Sequence, residues 1–165
     1  MSSSVPTSPL PVIGHGARVA VITAEWNGHI TSKLARGAVE TLTANGILPS
    51  DIISIPVPGA VELTYAAARV IEHQHPDAVI VFGAVVRGDT PHFDYVCESV
   101  TQGVTLLNST GDVPVIFGLL TVDNEQQALD RIGGPAGHKG VEAAETAIRM
   151  IALALSLIHI SEPTR

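Results

Sequence analysis

The chain has a single cysteine, Cys97, a single tryptophan, Trp26, and aromatic residues at only 4% of its 165 positions. One thiol excludes an intrachain disulfide and any zinc site built from cysteines, and it fits a reducing compartment. Positive charge is also scarce, with 9 Lys and Arg against 16 Asp and Glu for a formal net charge of -7. Nucleic acid or an anionic membrane would need clustered basic residues, so neither is expected as a partner. Small molecules or another protein chain are expected instead. The longest apolar segment, around Met150 to Ile160, falls short of the ~20 residues that cross a bilayer. Met1 to Gly16 lacks the charged start and apolar core of a secretory signal, which makes the cytoplasm the expected location.

Several catalytic signatures are missing as well. There is no G-x-S-x-G nucleophile elbow. Gly14-His15-Gly16 precedes the first strand, whereas a dinucleotide fingerprint follows one. Ile132 to Gly140 (I-G-G-P-A-G-H-K-G) ends near a lysine, but His138 stands where a P-loop needs glycine and no strand leads in, so a loop between helices is expected. His73 and His75 lie at a helix end without an acidic or cysteine ligand set, so a C-terminal cap interaction with the helix dipole is expected there and not a metal site.

What is present is a regular alternation of strands and helices, in a chain long enough for one domain that buries roughly 70% of its unfolded surface. Arg18 to Thr23 is a β-branched run of the kind a fully buried strand shows. After Asn27 and Gly28, the residues Ile30, Leu34, Ala38 and Leu42 recur every four positions, which puts them on one helical face that stops at Asn45-Gly46. Asp51 to Val57 reads as strand two, Pro58-Gly59 as a turn and Val61 to Glu72 as a helix. Ala78 to Val86 reads as strand three, Pro91 to Asn108 as a helix and Val113 to Leu120 as strand four. Two further helices are expected over Glu125 to Ile132 and Val141 to Leu155. This order implies right-handed crossovers and a three-layer α/β/α sandwich, flavodoxin-like, around a four-stranded parallel sheet.

Residues 1–17, with Pro6, Pro9 and Pro11, read as a flexible arm, and 18–155 as the folded domain. Ser156 to Arg165 (S-L-I-H-I-S-E-P-T-R) breaks the helical rhythm and resembles a translated adapter more than a native terminus.

In parallel sheets ligands gather at the carboxyl ends of the strands, and the unusual residues of this chain fall there: Trp26 and Asn27, Gly59 to Glu62, Arg87 to His92, and Phe117. In Gly83 to Tyr95 (G-A-V-V-R-G-D-T-P-H-F-D-Y), Thr90 suits a helix N-cap and Pro91 the first helical position, with His92 in the first turn. Free amides and the helix dipole there favour an anion beside an imidazole able to move protons. Each residue also has a plain structural role open to it. Trp26 could pack in the core, Glu62 and Arg131 could complement helix dipoles, and a first-turn histidine could simply be solvated.

Five motifs taken together resemble the 6,7-dimethyl-8-ribityllumazine synthase family. They are W-N-x-x-I-T-S-K-L at Trp26 to Leu34, V-P-G-A-V-E-L at Val57 to Leu63, G-A-V-V-R-G-D-T-P-H-F-D-Y-V at Gly83 to Val96, P-V-I-F-G-L-L-T at Pro114 to Thr121, and the closing G-H-K-G-x-E-A-A. The resemblance implies a cofactor-independent transferase that condenses 5-amino-6-(D-ribitylamino)uracil with 3,4-dihydroxy-2-butanone 4-phosphate, the penultimate step of riboflavin biosynthesis. It implies His92 as proton donor. Trp26, Asn27, Ala60, Val61, Glu62 and Ala84, Val85 and Val86 hold the pyrimidine and its ribityl chain, and Phe117 closes that pocket from a neighbouring subunit. Asp89, Thr90 and Arg131 cradle the butanone phosphate, and Lys139 is a further substrate contact. It also implies a homo-oligomer, a pentamer or a 60-subunit shell, with riboflavin synthase as an associated partner and the Pro-rich arm along a neighbour's sheet. Trp26 stands where the family more often has phenylalanine, and Thr64 where it has proline. The same pocket could serve a flavin- or lumazine-binding module or a shell protein without turnover, and a two-substrate assay separates these readings.

Overall fold

The structure, a computed structural model, describes residues 4–14 and 16–161; Met1 to Ser3, His15 and the last four residues of the tail lie outside the described residues. Four parallel strands form the central sheet: β1 (Val19–Ala24), β2 (Ile52–Val57), β3 (Ala78–Val86) and β4 (Val115–Val122). Their spatial order is β2-β1-β3-β4, so β2 and β4 are the edges. Helices α1 (Gly28–Ala44) and α5 (Lys139–Ser161) cover one face, while α2 (Leu63–Gln74) and α3 (His92–Thr110) cover the other. The expected three-layer sandwich with a four-stranded parallel sheet is the observed fold.

Strand alternation sorts the core into two layers. Val19, Val21, Ile80 and Phe82 point to the α1–α5 side, while Ala20, Ile22, Val79 and Val81 point to the α2–α3 side. All eight are essentially inaccessible to solvent, which is why β1 and β3 read as continuous apolar runs. The four helix residues expected on one face, Ile30, Leu34, Ala38 and Leu42, are fully buried against the first layer.

The structure corrects several boundaries. Strand four starts two residues later than expected and runs to Val122, because Pro114 cannot donate to the ladder and its carbonyl instead accepts from Val79 N at 2.9 Å. A 3-10 turn (Ala60–Glu62) precedes α2, so the helix starts at Leu63. The fourth helix, α4, is only Glu125–Leu129, and Ile132 lies outside it. The glycine-rich segment is a small antiparallel hairpin, β5 (Ile132–Gly134) with β6 (Gly137–His138), and not a bare loop. Gly133 (φ 106°) and Gly137 (φ 85°) take the positive φ values that such a tight hairpin requires.

Helix α5 continues to Ser161, through the first six residues of the segment expected to break it. From Val141 to Ser161 the chain contains no Gly or Pro, so propensity alone carries the helix onward. Part of the arm is seated on its own chain: Leu10 and Ile13 join the α1–α5 layer, and Arg149 donates to the Ser8 carbonyl at 2.6 Å.

The start of α5 is fixed by backbone contact. A side chain at Gly140 would run into the Leu34 carbonyl, and one at Gly37 into the His138 ring, so α5 starts hard against α1 with the His138 ring packed beside the contact. His138 also accepts the Val141 amide at Nδ1 (3.3 Å), satisfying one of the helix's first unpaired N–H groups.

Candidate active site

The expected site residues fall into two groups, one along the carboxyl rim of the sheet and one in a cleft at the β4 edge. On the rim, the Glu25 amide donates to the Val57 carbonyl (2.8 Å) and the Trp26 amide to that of Pro58 (3.1 Å), continuing the ladder beyond β1. The indole is therefore held outward at 76% exposure, which excludes the core role open to it in the sequence. Asn27 follows in the left-handed conformation (φ 58°, ψ 42°), which asparagine tolerates, and its carbonyl accepts the Ile30 and Thr31 amides to open α1.

Strand β3 outruns β1. Its pairing with β1 ends at Phe82, whereas its pairing with β4 continues to Val86. The side of Gly83–Val86 that β1 no longer covers is left with unpaired peptide groups, which is costly unless something meets them. Asn27 Nδ2 meets one of them, donating to the Ala84 carbonyl at 2.8 Å. Successive residues turn their peptide groups to opposite sides of a strand, and Arg87 N donates to Val122 O on the β4 side (2.8 Å). Val86 therefore faces the same open side as Ala84 and offers a donor and an acceptor to a flat heterocycle. Ala60 approaches this strip over Gly83, and Val61 and Glu62 lie exposed on the turn beside it.

Beyond β3, residues Arg87 to His92 are all exposed. Pro91 already has helical angles (φ -65°, ψ -3°), as expected of a first helical position, and the Thr90 hydroxyl accepts the His92 amide at 3.4 Å. Arg87 is the only Lys or Arg on the four strand-end loops, and it is fully engaged. Its Nε donates to Asp123 Oδ1 (2.9 Å), its Nη1 to Asp94 Oδ1 (3.4 Å), and its guanidinium lies 4.3 Å from the centre of the Phe93 ring. The bond to Asp123, with the Asp94 charge behind it, raises the Arg87 pKa above its ordinary value and outweighs desolvation. On the same rim His29 pairs with Glu125.

The second group lies along the free edge of β4, in a cleft of about 890 Å³ between that edge and α5. Phe117, Arg131 and Lys139 all line it, together with Glu142, Met150 and Leu153. Phe117 lies in mid-strand, opposite Val81, not near the strand's end as the sequence suggested, and it is 43% exposed. Arg131 and Lys139 flank the β5–β6 hairpin, and the Lys139 amide donates to the Arg131 carbonyl at 2.8 Å. The hairpin thus holds two cationic residues side by side at its base. Lys139 Nζ is paired with Glu142 (3.0 Å). Arg131 donates Nη1 to the Gln127 carbonyl (2.7 Å) at the end of α4, so the dipole role open to it is filled, yet among the described residues no carboxylate lies within 4 Å of it.

None of the rim residues lines the cleft. Trp26, Asn27, Ala60 to Glu62, Ala84 to Val86, Asp89, Thr90 and His92 therefore lie on the rim, while Phe117, Arg131 and Lys139 lie in the cleft, and within one chain the two groups stay apart. Nothing local in the sequence singles out Arg87, because its partner Asp123 lies 36 residues away. Among the described residues no group of three or more His, Cys, Asp or Glu side chains is placed to hold a metal ion.

The profile of the family described as 6,7-dimethyl-8-ribityllumazine synthase matches residues 16–154. A 6,7-dimethyl-8-ribityllumazine synthase of Parabacteroides distasonis is 56% identical over 133 residues, which cover 81% of this chain and 83% of that protein. The protein of the same name from Porphyromonas gingivalis is 53% identical over 140 residues (85% and 87%). That from Bacteroides fragilis is 50% identical over 140 residues (85% and 98%).

Proposed function

We infer that the chain, which belongs to the 6,7-dimethyl-8-ribityllumazine synthase family, is a transferase that condenses 5-amino-6-(D-ribitylamino)uracil with 3,4-dihydroxy-2-butanone 4-phosphate. The product is 6,7-dimethyl-8-ribityllumazine, with phosphate and water released, in the penultimate step of riboflavin biosynthesis. The observation that carries this reading is the family match across 16–154, which spans every residue of both half-sites.

The chemistry of the two halves supports a division of labour. On the rim, the exposed Trp26 indole is a plate on which the pyrimidine stacks, and the open edge at Val86 reads its donors and acceptors, with Glu62, Val61 and Ala60 along the ribityl chain. Asp89, Thr90 and the first turn of α3 receive the phosphate end of the second substrate, and His92 moves protons as the imine forms and phosphate leaves. A phosphate dianion also needs a cation, and the rim has none to offer: Arg87 is bound to two carboxylates, and Glu25, Glu62 and Asp89 add further negative charge. Arg131 in the cleft meets that need, with Lys139 beside it.

The rim of one copy therefore docks against the β4 edge and cleft of another. Phe117 then covers the pyrimidine, Arg131 reaches the phosphate, and an eight-residue strand edge that would otherwise be open is covered. A pentamer is the assembly that goes with this heterologous contact, and a 60-subunit shell is its larger form. A cytoplasmic location and association with riboflavin synthase, which consumes the product, complete the reading. Holding two small reactants together supplies much of the acceleration, since proximity alone removes several kcal/mol from a bimolecular barrier. The test mixes the purified protein with both substrates while following lumazine fluorescence, released phosphate and particle mass. Product and phosphate in equal amounts are expected from an oligomer, and ligand binding without turnover would refute the reading.

A further inference from the structure

We propose that Arg87 is a positioning residue for this reaction: by clamping Asp123, Asp94 and the Phe93 ring it sets the loop Gly88–Pro91, and with it the placement of His92. The proposal rests on the functional reading above.

The loop has little else to order it. Gly88, Asp89, Thr90 and Pro91 are all exposed, and no atom lies within 4 Å of where a Gly88 side chain would begin. Within the loop, the 3.4 Å contact between the Thr90 hydroxyl and the His92 amide is a weak tie. Arg87 bridges the two ends. Its amide is tied to β4 through Val122, and its side chain reaches across to Asp94 and Phe93 in the first turn of α3. Phe93 is itself buried, at 8% exposure, so the guanidinium rests on a fixed surface.

The anchor at the far end is braced too. The Asp123 amide donates to Gln127 Oε1 (2.9 Å), and the Gln127 amide donates to Asn124 Oδ1 (3.0 Å), which caps α4. The same short turn carries Glu125, the partner of His29 at the start of α1. One segment, Asp123 to Gln127, thus braces both the loop bearing His92 and the helix that begins behind Trp26. A planar guanidinium can bond two carboxylates and stack on a ring at once, whereas an ammonium cannot do all three.

The experiment compares wild type with Arg87→Met, Arg87→Lys, Asp123→Asn and the double variant Arg87→Met/Asp123→Asn, measuring kcat, KM for each substrate, particle mass and unfolding midpoint. Arg69→Met is the control, because Arg69 has the same kinds of contact, with Glu72 and Tyr65, and they lie within α2 and do not touch the Gly88–Pro91 loop. Arg87→Met is expected to lower kcat and raise KM for the butanone phosphate by about tenfold each, leaving KM for the pyrimidine within about twofold, at unchanged particle mass. Arg87→Lys recovers part of the loss. The double variant is no worse than Arg87→Met, because both changes break one clamp. Unchanged kinetics in Arg87→Met, or equal rises in both KM values, would overturn the proposal. If that variant does not fold, Asp123→Asn carries the same test. Failure of the wild type to form product would instead strike at the functional reading.

Discussion

The rim of the sheet and the cleft along β4 carry opposite chemistry. The rim has an exposed indole, an open strand edge, an imidazole and an excess of carboxylates, with its one arginine bound to two of them. The cleft has a phenylalanine, an arginine with no carboxylate within 4 Å among the described residues, and a paired lysine. Neither half offers both a stacking-and-proton surface and a cation for phosphate. The contrast teaches that charge separates the two regions within one chain, which is what the proposed shared site would need.

The largest effect is expected from separating the halves. His92→Ala and Arg131→Ala should each lose roughly 10² to 10³ of turnover, in keeping with the removal of a proton donor or of one charge at a developing anion. Dissociating the two variants and reassembling them together should restore about a quarter of wild-type activity, since a random ring then pairs an intact rim with an intact cleft that often. No recovery in the mixture would break the comparison.

A smaller effect tests whether Phe117 faces a neighbour's pyrimidine. Phe117→Ala should raise KM for the pyrimidine about three- to tenfold, the worth of one aromatic contact, while KM for the butanone phosphate stays put. Steady-state kinetics with each substrate varied in turn reads this directly.

The smallest effect probes the negative field of the rim. Burial first, and the Asp94 carboxylate second, push the Cys97 thiol up from its ordinary pKa. The thiol therefore stays protonated through neutral pH, and alkylation by iodoacetamide should lag behind free cysteine until the pH passes the usual thiol range. The matching contribution to stability is full below the ordinary thiol pKa and fades as pH climbs through the raised one. Asp94→Asn should speed alkylation at pH 8; an unchanged rate would leave burial as the whole cause.

The fold was legible wherever local pattern and tertiary packing agree. The period of Ile30, Leu34, Ala38 and Leu42 gave the buried face of α1, and the β-branched run Arg18 to Thr23 gave a strand whose Val19 to Ile22 are covered on both sides. The β5–β6 hairpin was not legible, because strands of three and two residues carry no periodicity and its glycines also suit a loop. The end of α5 was missed for the reverse reason. Ser156 to Ser161 looks unlike what precedes it, yet contains nothing that stops a helix.

For the candidate site, the sequence pointed to strand ends, and the rim residues lie there. It could not reveal that Phe117, Arg131 and Lys139 gather elsewhere, since that depends on which strand becomes an edge. The clamp on Arg87 was equally hidden, because ion pairs between residues 36 apart leave no local trace.

The glycine contact between α1 and α5 makes the start of α5 a fulcrum. A helix of 23 residues is about 34 Å long, so a tilt of about 5° at Gly140 swings its far end by roughly 3 Å. Lys139, next to the pivot, would barely move, while Leu153 and Leu157 would sweep across the cleft mouth. A side chain added at position 37 or 140 would then act as a wedge, with its damage felt along the cleft, far from the point where it was inserted.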